Sequence, residues 1–325
     1  STLATDPTVR GQVLADSWRI HPNHACFIMP LALPLLASFL YSVGSWSLKL
    51  GLRRGANSRI VTALSNLAMA GWSAPLIFFF SGQPHDHGFL AAGMAGLALF
   101  LGRVCAIRAL ARGDLSHATP ILGTKTVFVA ILTALFLDEK ITAGLMGGAV
   151  LTSLAVALLS FAPLPHGSTP SFAKTGRSTT LWALFAAFFF AVTDIIVQKY
   201  ARLIGVGWFQ PVMFSTLAAL TPLLFLPNIR KTKSPLPSLP STSRWPVLLG
   251  SGVIGFQTSM VILVIGIFGH ATATNVVYAT RGLWAVLLEG AAGGGAAAID
   301  RRILTIRLAG AALLLAAVAL AVGSL

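Results

Sequence analysis

Residues 137–159 read LDEKITAGLMGGAVLTSLAVALL, and residues 299–321 read IDRRILTIRLAGAALLLAAVALA. The two stretches align without a gap and share nine identities in 23 positions. The identities that a general bias towards alanine and leucine does not explain are Asp138/Asp300, Ile141/Ile303 and Gly148/Gly310. A match of this kind indicates that the chain contains two copies of one structural unit.

The composition around these copies is typical of an integral membrane protein. Of the 325 residues, 55% are hydrophobic and 10% are charged, whereas a soluble domain carries about 25% charged residues. This excludes soluble, disordered and disulfide-stabilised classes. The 23 Lys and Arg against 9 Asp and Glu indicate basic loops beside anionic lipid headgroups in a bilayer. No nucleic-acid partner is expected, because no basic run is interleaved with aromatic residues.

Ten segments are long and apolar enough to cross a bilayer, which requires about 20 apolar residues. These predicted spans 1 to 10 are 28–50, 60–81, 88–108, 117–137, 141–162, 179–199, 207–227, 245–268, 271–291 and 304–323. A polar, Pro-rich linker at 163–178 separates spans 5 and 6. We therefore predict an all-α membrane protein with a polar N-terminal segment (1–27) and two five-helix repeats (28–162 and 179–325).

Further matches extend the repeat towards the start of each copy. KTVFVAIL (125–132) aligns with RGLWAVLL (281–288), and SVGSWSLK (42–49) aligns more weakly with AVTDIIVQ (191–198). Because each copy has an odd number of spans, the second copy must lie upside down relative to the first. Inverted repeats with a site near the bilayer midplane are typical of secondary transporters.

The stretch from Ala109 to Leu159 resembles the EamA-type repeat of the drug/metabolite transporter superfamily. It has a small-residue turn before span 4, an acidic pair at Asp138-Glu139 where the family has a Gly-Glu-like pair, and a Gly/Ala-rich span 5. The second copy departs from this pattern with Asp300-Arg301. The resemblance implies a ten-helix transporter. It leaves the substrate open, because the superfamily carries amino acids, nucleotide sugars, sugar phosphates and drugs.

Two aligned cations lie at the predicted centre of the bilayer. Lys125 lies nine residues after Ser116, which is about 13 Å from the start of span 4 at about 1.5 Å per residue. Arg281 occupies the same depth of span 9. A charge there requires a partner or a hydrated cavity, so we predict that both bind an anionic substrate group. The sugar-phosphate translocators of the superfamily resemble this arrangement in their fourth and ninth helices. The alternative is that Lys125–Asp194 and Arg281–Glu289 are ion pairs that only orient helices.

Polar residues at helical spacing on spans 1, 6, 8 and 9 complete the predicted site. The predicted substrate-binding residues are Lys125, Arg281, Tyr278, Asn275, Ser45, Gln257 and Trp284. Asp194 and Glu289 are predicted coupling or charge-pair residues, and Asp194 is the candidate protonation site. We predict no catalytic residue, no metal site and no cofactor.

The sequence therefore predicts a secondary active transporter that works by alternating access. Its expected substrate is a small polar organic metabolite with a carboxylate or phosphate, such as an amino acid or a phosphorylated metabolite. The alternatives are an exporter of amphiphilic drugs or cations, a membrane-embedded enzyme and a passive channel. An enzyme is disfavoured, because the nine acidic residues form no cluster.

The predicted location is the inner (plasma) membrane of a bacterium, with an organellar membrane as the alternative. Most loop Lys and Arg residues follow odd-numbered spans, which predicts both termini outside. The superfamily resemblance implies both termini inside. Monomer and homodimer both remain open.

Overall fold

The computed structural model describes residues 24–80, 82, 86–112, 121–137, 142–161, 176–225, 239–292 and 301–324. Within these ranges the chain is helical and contains no strand. The α-helices are α1 (His24–Arg53), α2 (Ser58–Ser73), α3 (Leu76–Phe79), α4 (Asp86–Arg112), α5 (Lys125–Phe136), α6 (Ala143–Phe161), α7 (Gly176–Ile204), α8 (Val206–Leu220), α9 (Ser241–Phe268), α10 (Ala271–Tyr278), α11 (Arg281–Ala292) and α12 (Arg301–Val322). Most of the predicted N-terminal segment and linker lies outside the described residues.

Each predicted span coincides with one helix or with a broken helix. Six spans are single helices: spans 1, 3, 5, 6, 8 and 10 correspond in this order to α1, α4, α6, α7, α9 and α12. The other four are broken helices: span 2 is α2 and α3, span 4 is residues 121–136, span 7 is α8 with a 3₁₀ turn, and span 9 is α10 and α11. Among the described residues, five helices are long and apolar enough to cross a membrane, and three apolar helices are shorter. The all-helical membrane class is thus confirmed, while the number of ten spans stays a prediction.

Four spans that the sequence predicts as continuous are interrupted, and span 4 breaks at Thr124. Span 2 breaks at Ala74 and Pro75, and span 7 tightens into a 3₁₀ turn that contains Pro222. Proline causes both, because its ring clashes with the preceding turn and it has no N–H to donate. Span 9 breaks at Ala279 and Thr280 without a proline, in the middle of the predicted site.

Several pairs of packed helices in one predicted copy have a counterpart made of the equivalent helices, in which each span n is replaced by span n+5 of the other copy. Helix α1 packs along α9, and the exchange-related α7 packs along α4. The packing of α2 on α9 (spans 2 and 8) has its counterpart in the packing of α8 on α4 (spans 7 and 3). The pair α6 and α12 (spans 5 and 10) is its own counterpart, because the exchange only swaps its two members. Two copies of one unit related by a twofold axis would pack in this way.

The α6–α12 contact shows the reciprocity at single residues. A Cβ on Gly148 would lie 3.0 Å from the carbonyl oxygen of Ala317, and a Cβ on Gly310 would lie 3.4 Å from that of Ala155. In the alignment of the two copies Gly148 corresponds to Gly310 and Ala155 to Ala317, so aligned positions exchange partners. Gly144 lies against Ser324, so residue numbers rise along α6 as they fall along α12. The two helices therefore run antiparallel.

Glycine contacts between α1 and α9 define the two ends of the bundle. Gly44 lies against Ile254 and Gly51 against Val247, so α1 and α9 are antiparallel. We call the end at which α5, α7, α9 and α12 finish the C-terminal end, and the opposite end, at which α1, α4, α6 and α11 finish, the linker end. Large apolar side chains such as Phe78 and Trp245 are exposed on the outer surface, as a lipid-facing surface requires.

Candidate functional site

The two predicted cations each begin a helix, directly after a threonine. Thr124 Oγ1 donates to Ile121 O at 2.6 Å before Lys125, and Thr280 Oγ1 donates to Val277 O at 2.7 Å before Arg281. A threonine that bonds back to its own helix competes with the backbone ladder and bends the helix. The two broken helices therefore place both cations at interruptions, where transporters commonly bind their substrates.

Lys125 forms an ion pair with Asp194. Its Nζ lies 2.7 Å from Asp194 Oδ2, and the two side chains are 18% and 4% exposed. Asn275 Nδ2 donates to the same carboxylate oxygen at 2.6 Å and also to Ala271 O at 2.8 Å. The structure thus brings three predicted residues together, with the lysine charge already compensated. Of the two ion pairs that the sequence offered as an alternative, this one is present.

Arg281 lies against the rings of two tyrosines. Its guanidinium carbon lies 4.8 Å from the ring centre of Tyr41 and 4.7 Å from that of Tyr278. The Tyr278 hydroxyl donates to Gln257 Oε1 at 2.8 Å, which fixes the second ring. Among the side chains that the structure describes, no carboxylate lies within ion-pair distance of this arginine. The side chain of Glu289, its predicted partner, is not among them. The two ring centres are 5.9 Å apart and the ring planes are nearly perpendicular, so the tyrosines lie side by side against the guanidinium.

The polar face of α1 packs against the break in span 9. Ser38 Oγ lies 2.9 Å from Thr280 Oγ1, and Ser42 Oγ donates to Arg281 O at 2.9 Å. Ser45, the predicted site residue, is half-buried one turn beyond Tyr41 and makes neither of these two contacts. The weak alignment identified the correct helix, but the contacts belong to serines one and two turns earlier.

Trp284 lies beside the cluster and packs edge-to-face on Phe39, with ring centres 5.4 Å apart. Its Nε1 is buried and has no hydrogen-bond partner among the described residues. One turn after Lys125, Phe128 lines an apolar groove of about 340 Å³ together with Leu181, Leu184, Phe185 and Phe188. Leu181 and Phe185 are half exposed, so this groove faces outward and is separate from the charged residues.

Sequence reasoning did not single out two residues, Tyr41 beside Arg281 and Arg103 within span 3. Tyr41 is one of three tyrosines in the chain, and its position one turn from Ser38 and Ser45 was a usable signal for a cation partner. Arg103 lies within span 3, and its buried Nε has no hydrogen-bond partner among the described residues. A charge inside a predicted span is itself a signal of function.

The bundle is closed at its C-terminal end. There Arg202 Nη2 donates to Ile267 O at 2.7 Å, joining α7 to α9, and Thr133 Oγ1 lies 3.4 Å from Thr272 Oγ1, joining α5 to α10. In the other predicted copy, the helices equivalent to α7 and α9 (spans 6 and 8) are α1 and α4 (spans 1 and 3). Among the described residues, α1 and α4 have no contact comparable to that between α7 and α9.

Comparisons with known proteins agree with this fold. Residues 28–161 match the model of the EamA-like transporter family. A solved structure titled only "Crystal structure of protein" superposes with a TM-score of 0.70 at 18% identity, covering 90% of this chain and 97% of that chain. No curated protein matches the sequence. The first predicted copy therefore matches the EamA-like transporter family directly, and the solved structure shares the fold over nearly the whole chain.

Proposed function

We propose that the protein is a secondary active transporter for a small polar organic metabolite that carries a carboxylate or a phosphate, such as an amino acid or a phosphorylated metabolite. The observation that carries this proposal is that Arg281 lies against the rings of Tyr41 and Tyr278, and that no carboxylate among the described side chains lies within ion-pair distance of it. The proposed location is the inner membrane of a bacterium.

Arg281 is the better anion-binding residue of the two predicted cations. Asp194 compensates the charge of Lys125 at 2.7 Å, so the lysine has little to offer an anion in this conformation. The planar guanidinium of the arginine matches the planar edge of a carboxylate or phosphate in a bidentate contact. Asn275 and Tyr278 on the preceding helix bring polar groups next to the same position.

The helix packing supports alternating access by an inverted repeat. The exchange of partners at Gly148 and Gly310 and the antiparallel course of α6 and α12 are what a twofold axis in the membrane plane would produce. A carrier of this kind exchanges the conformations of its two repeats. The contact of α7 with α9, without its counterpart between α1 and α4, fits one such state, closed at the C-terminal end and open at the linker end.

Asp194 is the proposed coupling residue. The groups that face it are Lys125 on α5, Asn275 on α10 and, at longer range, the charge of Arg281. A proton on this carboxylate would cancel its charge and free Lys125 to contact the substrate anion. The test is transport by Asp194→Asn across a pH series. A pH dependence unchanged from that of the wild type would reject proton coupling at this residue.

Export of an amphiphilic drug or cation is the second candidate, and the apolar groove lined by Phe128 and Phe185 favours it. An uncharged ligand would gain no charge-assisted contact from Arg281, and a cationic ligand would be repelled by it. A membrane-embedded enzyme or a passive channel finds less support, since the members of the matched family are transporters. The two transport proposals therefore differ in whether the arginine charge matters.

Counterflow in proteoliposomes tests the proposal. Wild-type protein is assayed with panels of amino acids, phosphorylated metabolites and cationic drugs, and uptake accelerated by internal substrate is expected only of a carrier. For the substrate found, Arg281→Gln should lower affinity at least about 30-fold, the loss of a charge-assisted contact of about 2 kcal/mol. Arg108→Gln is the matched control, because Arg108 is exposed and stacks on Trp182 away from the site. Normal affinity in a folded Arg281→Gln protein would overturn the anion-site proposal.

A further inference from the structure

We propose that Arg202 and Arg53 are equivalent latches of the transport cycle. Arg202 holds the C-terminal end of the bundle closed in this conformation, and Arg53 holds the linker end closed in the opposite one. The inference rests on the proposed function, because it names residues that control alternating access. It concerns the equilibrium between the two conformations, so neither arginine is part of the substrate site.

Arg202 joins the ends of two helices. It lies in the last turn of α7, and its Nη2 donates to Ile267 O at 2.7 Å, in the last turn of α9. The last carbonyls of a helix have no partner within that helix, and a cation beside them is stabilised by the helix dipole. Beside this contact, Ala201 Cβ lies 3.3 Å from the place that a Cβ on Gly266 would occupy, so the two helices touch directly. The arginine therefore stabilises a contact that must separate when the C-terminal end opens.

Arg53 is the counterpart of Arg202 in the first copy. Continued without a gap, the alignment of 42–49 with 191–198 pairs LGLR (50–53) with KYAR (199–202). Both arginines lie in the last turn of equivalent helices, α1 and α7. Arg53 is exposed, and in the described part of the chain α1 does not pack on α4 as α7 packs on α9. When the two copies exchange conformations, Arg53 is placed to donate to the free carbonyls in the last turn of α4.

Two neighbouring cations hold contacts that do not have to break. Lys199 Nζ donates to Phe136 O at 3.2 Å and joins α7 to the end of α5. The equivalent helices, α1 with α10 and α11, are packed together in this same conformation. Arg54 Nη1 donates to Thr242 O on α9 at 3.2 Å, and the counterpart of α1 on α9, which is α7 on α4, is also packed. Each of these contacts is present in both copies at once, so Lys199 and Arg54 are matched controls for the two latches.

A buried cysteine between α7 and α9 measures opening at the C-terminal end. Ala201 is 1% exposed, so Ala201→Cys, with Cys26 and Cys105 replaced, reacts with membrane-permeant N-ethylmaleimide when these helices separate. If opening is fast relative to the reaction, the modification rate is proportional to the ratio of open to closed protein. The rate is measured on the whole chain in liposomes and requires no substrate.

The two latches should act in opposite directions. We expect Arg202→Gln to raise the modification rate about fivefold, equivalent to about 1 kcal/mol, because the closed state loses a contact. Arg53→Gln should lower the rate about fivefold, because the state with an open C-terminal end loses its latch at the other end. The double variant should return to within about twofold of wild type, since distant sites act additively. Lys199→Gln and Arg54→Gln should each stay within about twofold of wild type.

The outcomes separate the latches from local loosening and from the proposed function. Arg53 lies at the end of the bundle opposite Ala201, so a merely structural role would leave the rate unchanged in Arg53→Gln or raise it. Either result would overturn the inference, as would an unchanged rate in Arg202→Gln. If the latches fail while the wild type shows counterflow and Arg281→Gln loses substrate affinity, the proposed function stands. If the wild type shows no counterflow, the proposed function fails, whereas opposite shifts of the modification rate would still assign the two latches.

Discussion

Replacing Asp194 by asparagine removes one charge of a buried ion pair and leaves the other in place. Lys125 Nζ lies 2.7 Å from the carboxylate, whose side chain is 4% exposed. Asparagine still has a side-chain oxygen to accept the hydrogen bond of Asn275, so the change is mainly the loss of negative charge. The expected effect is a fall in the free energy of unfolding, because the lysine loses its counter-ion.

The size of this fall follows from the burial of the pair. Removing one partner of a buried ion pair costs about 3–5 kcal/mol, whereas replacing both partners by uncharged residues is often neutral. Lys125 is 18% exposed and can retain part of its hydration, so we expect the lower end, about 3 kcal/mol. The double variant Lys125→Met with Asp194→Asn should lie within about 1 kcal/mol of wild type.

The assay is a double-mutant cycle on the free energy of unfolding in mixed detergent micelles. Asp86→Asn is the matched control, because Asp86 is an exposed carboxylate in the first turn of α4, where its charge contributes less than about 1 kcal/mol. A double variant as unstable as Asp194→Asn alone would refute the reasoning, since the unpaired lysine charge would then not be the cause.

Three further predictions concern packing and the arginine site. Gly148→Val and Gly310→Val should each destabilise the protein by about 1–3 kcal/mol in unfolding measurements, because both would press on the facing helix; Gly147→Val, which meets nothing within 4 Å, is the control. Tyr41→Phe should keep substrate affinity within about threefold because it retains the stacked ring, while Tyr41→Ala should lower it about 5-fold or more in the same binding assay. Gln257→Leu should lower the unfolding free energy by about 1–3 kcal/mol, because it leaves a buried tyrosine hydroxyl unsatisfied.

Much of the site could be predicted because helical periodicity places residues on one face. Asn275, Tyr278 and Arg281 are three residues apart, and the structure finds all three near one another. The repeat alignment paired Lys125 with Arg281, and both begin a helix after a threonine.

What the sequence could not predict depends on contacts between helices. Two cations and two carboxylates near one depth allow several pairings, and only the packing of α5 on α7 selects Lys125 with Asp194. The stacking of Arg281 on Tyr41 likewise requires α1 to lie beside the break in span 9. That break has no proline signal; Thr280 lies at it, and its side chain bonds back to Val277 O.

Alternating access itself is tested most directly by locking the closed end of the bundle. Thr133 and Thr272 are buried with their hydroxyls 3.4 Å apart, so cysteines at both positions, with Cys26 and Cys105 replaced, lie within reach of a disulfide. Oxidation in proteoliposomes should abolish counterflow and reduction should restore it, while the locked protein still binds substrate through its open linker end. Full counterflow by completely cross-linked protein would contradict the account, because the C-terminal end would then not need to open during transport.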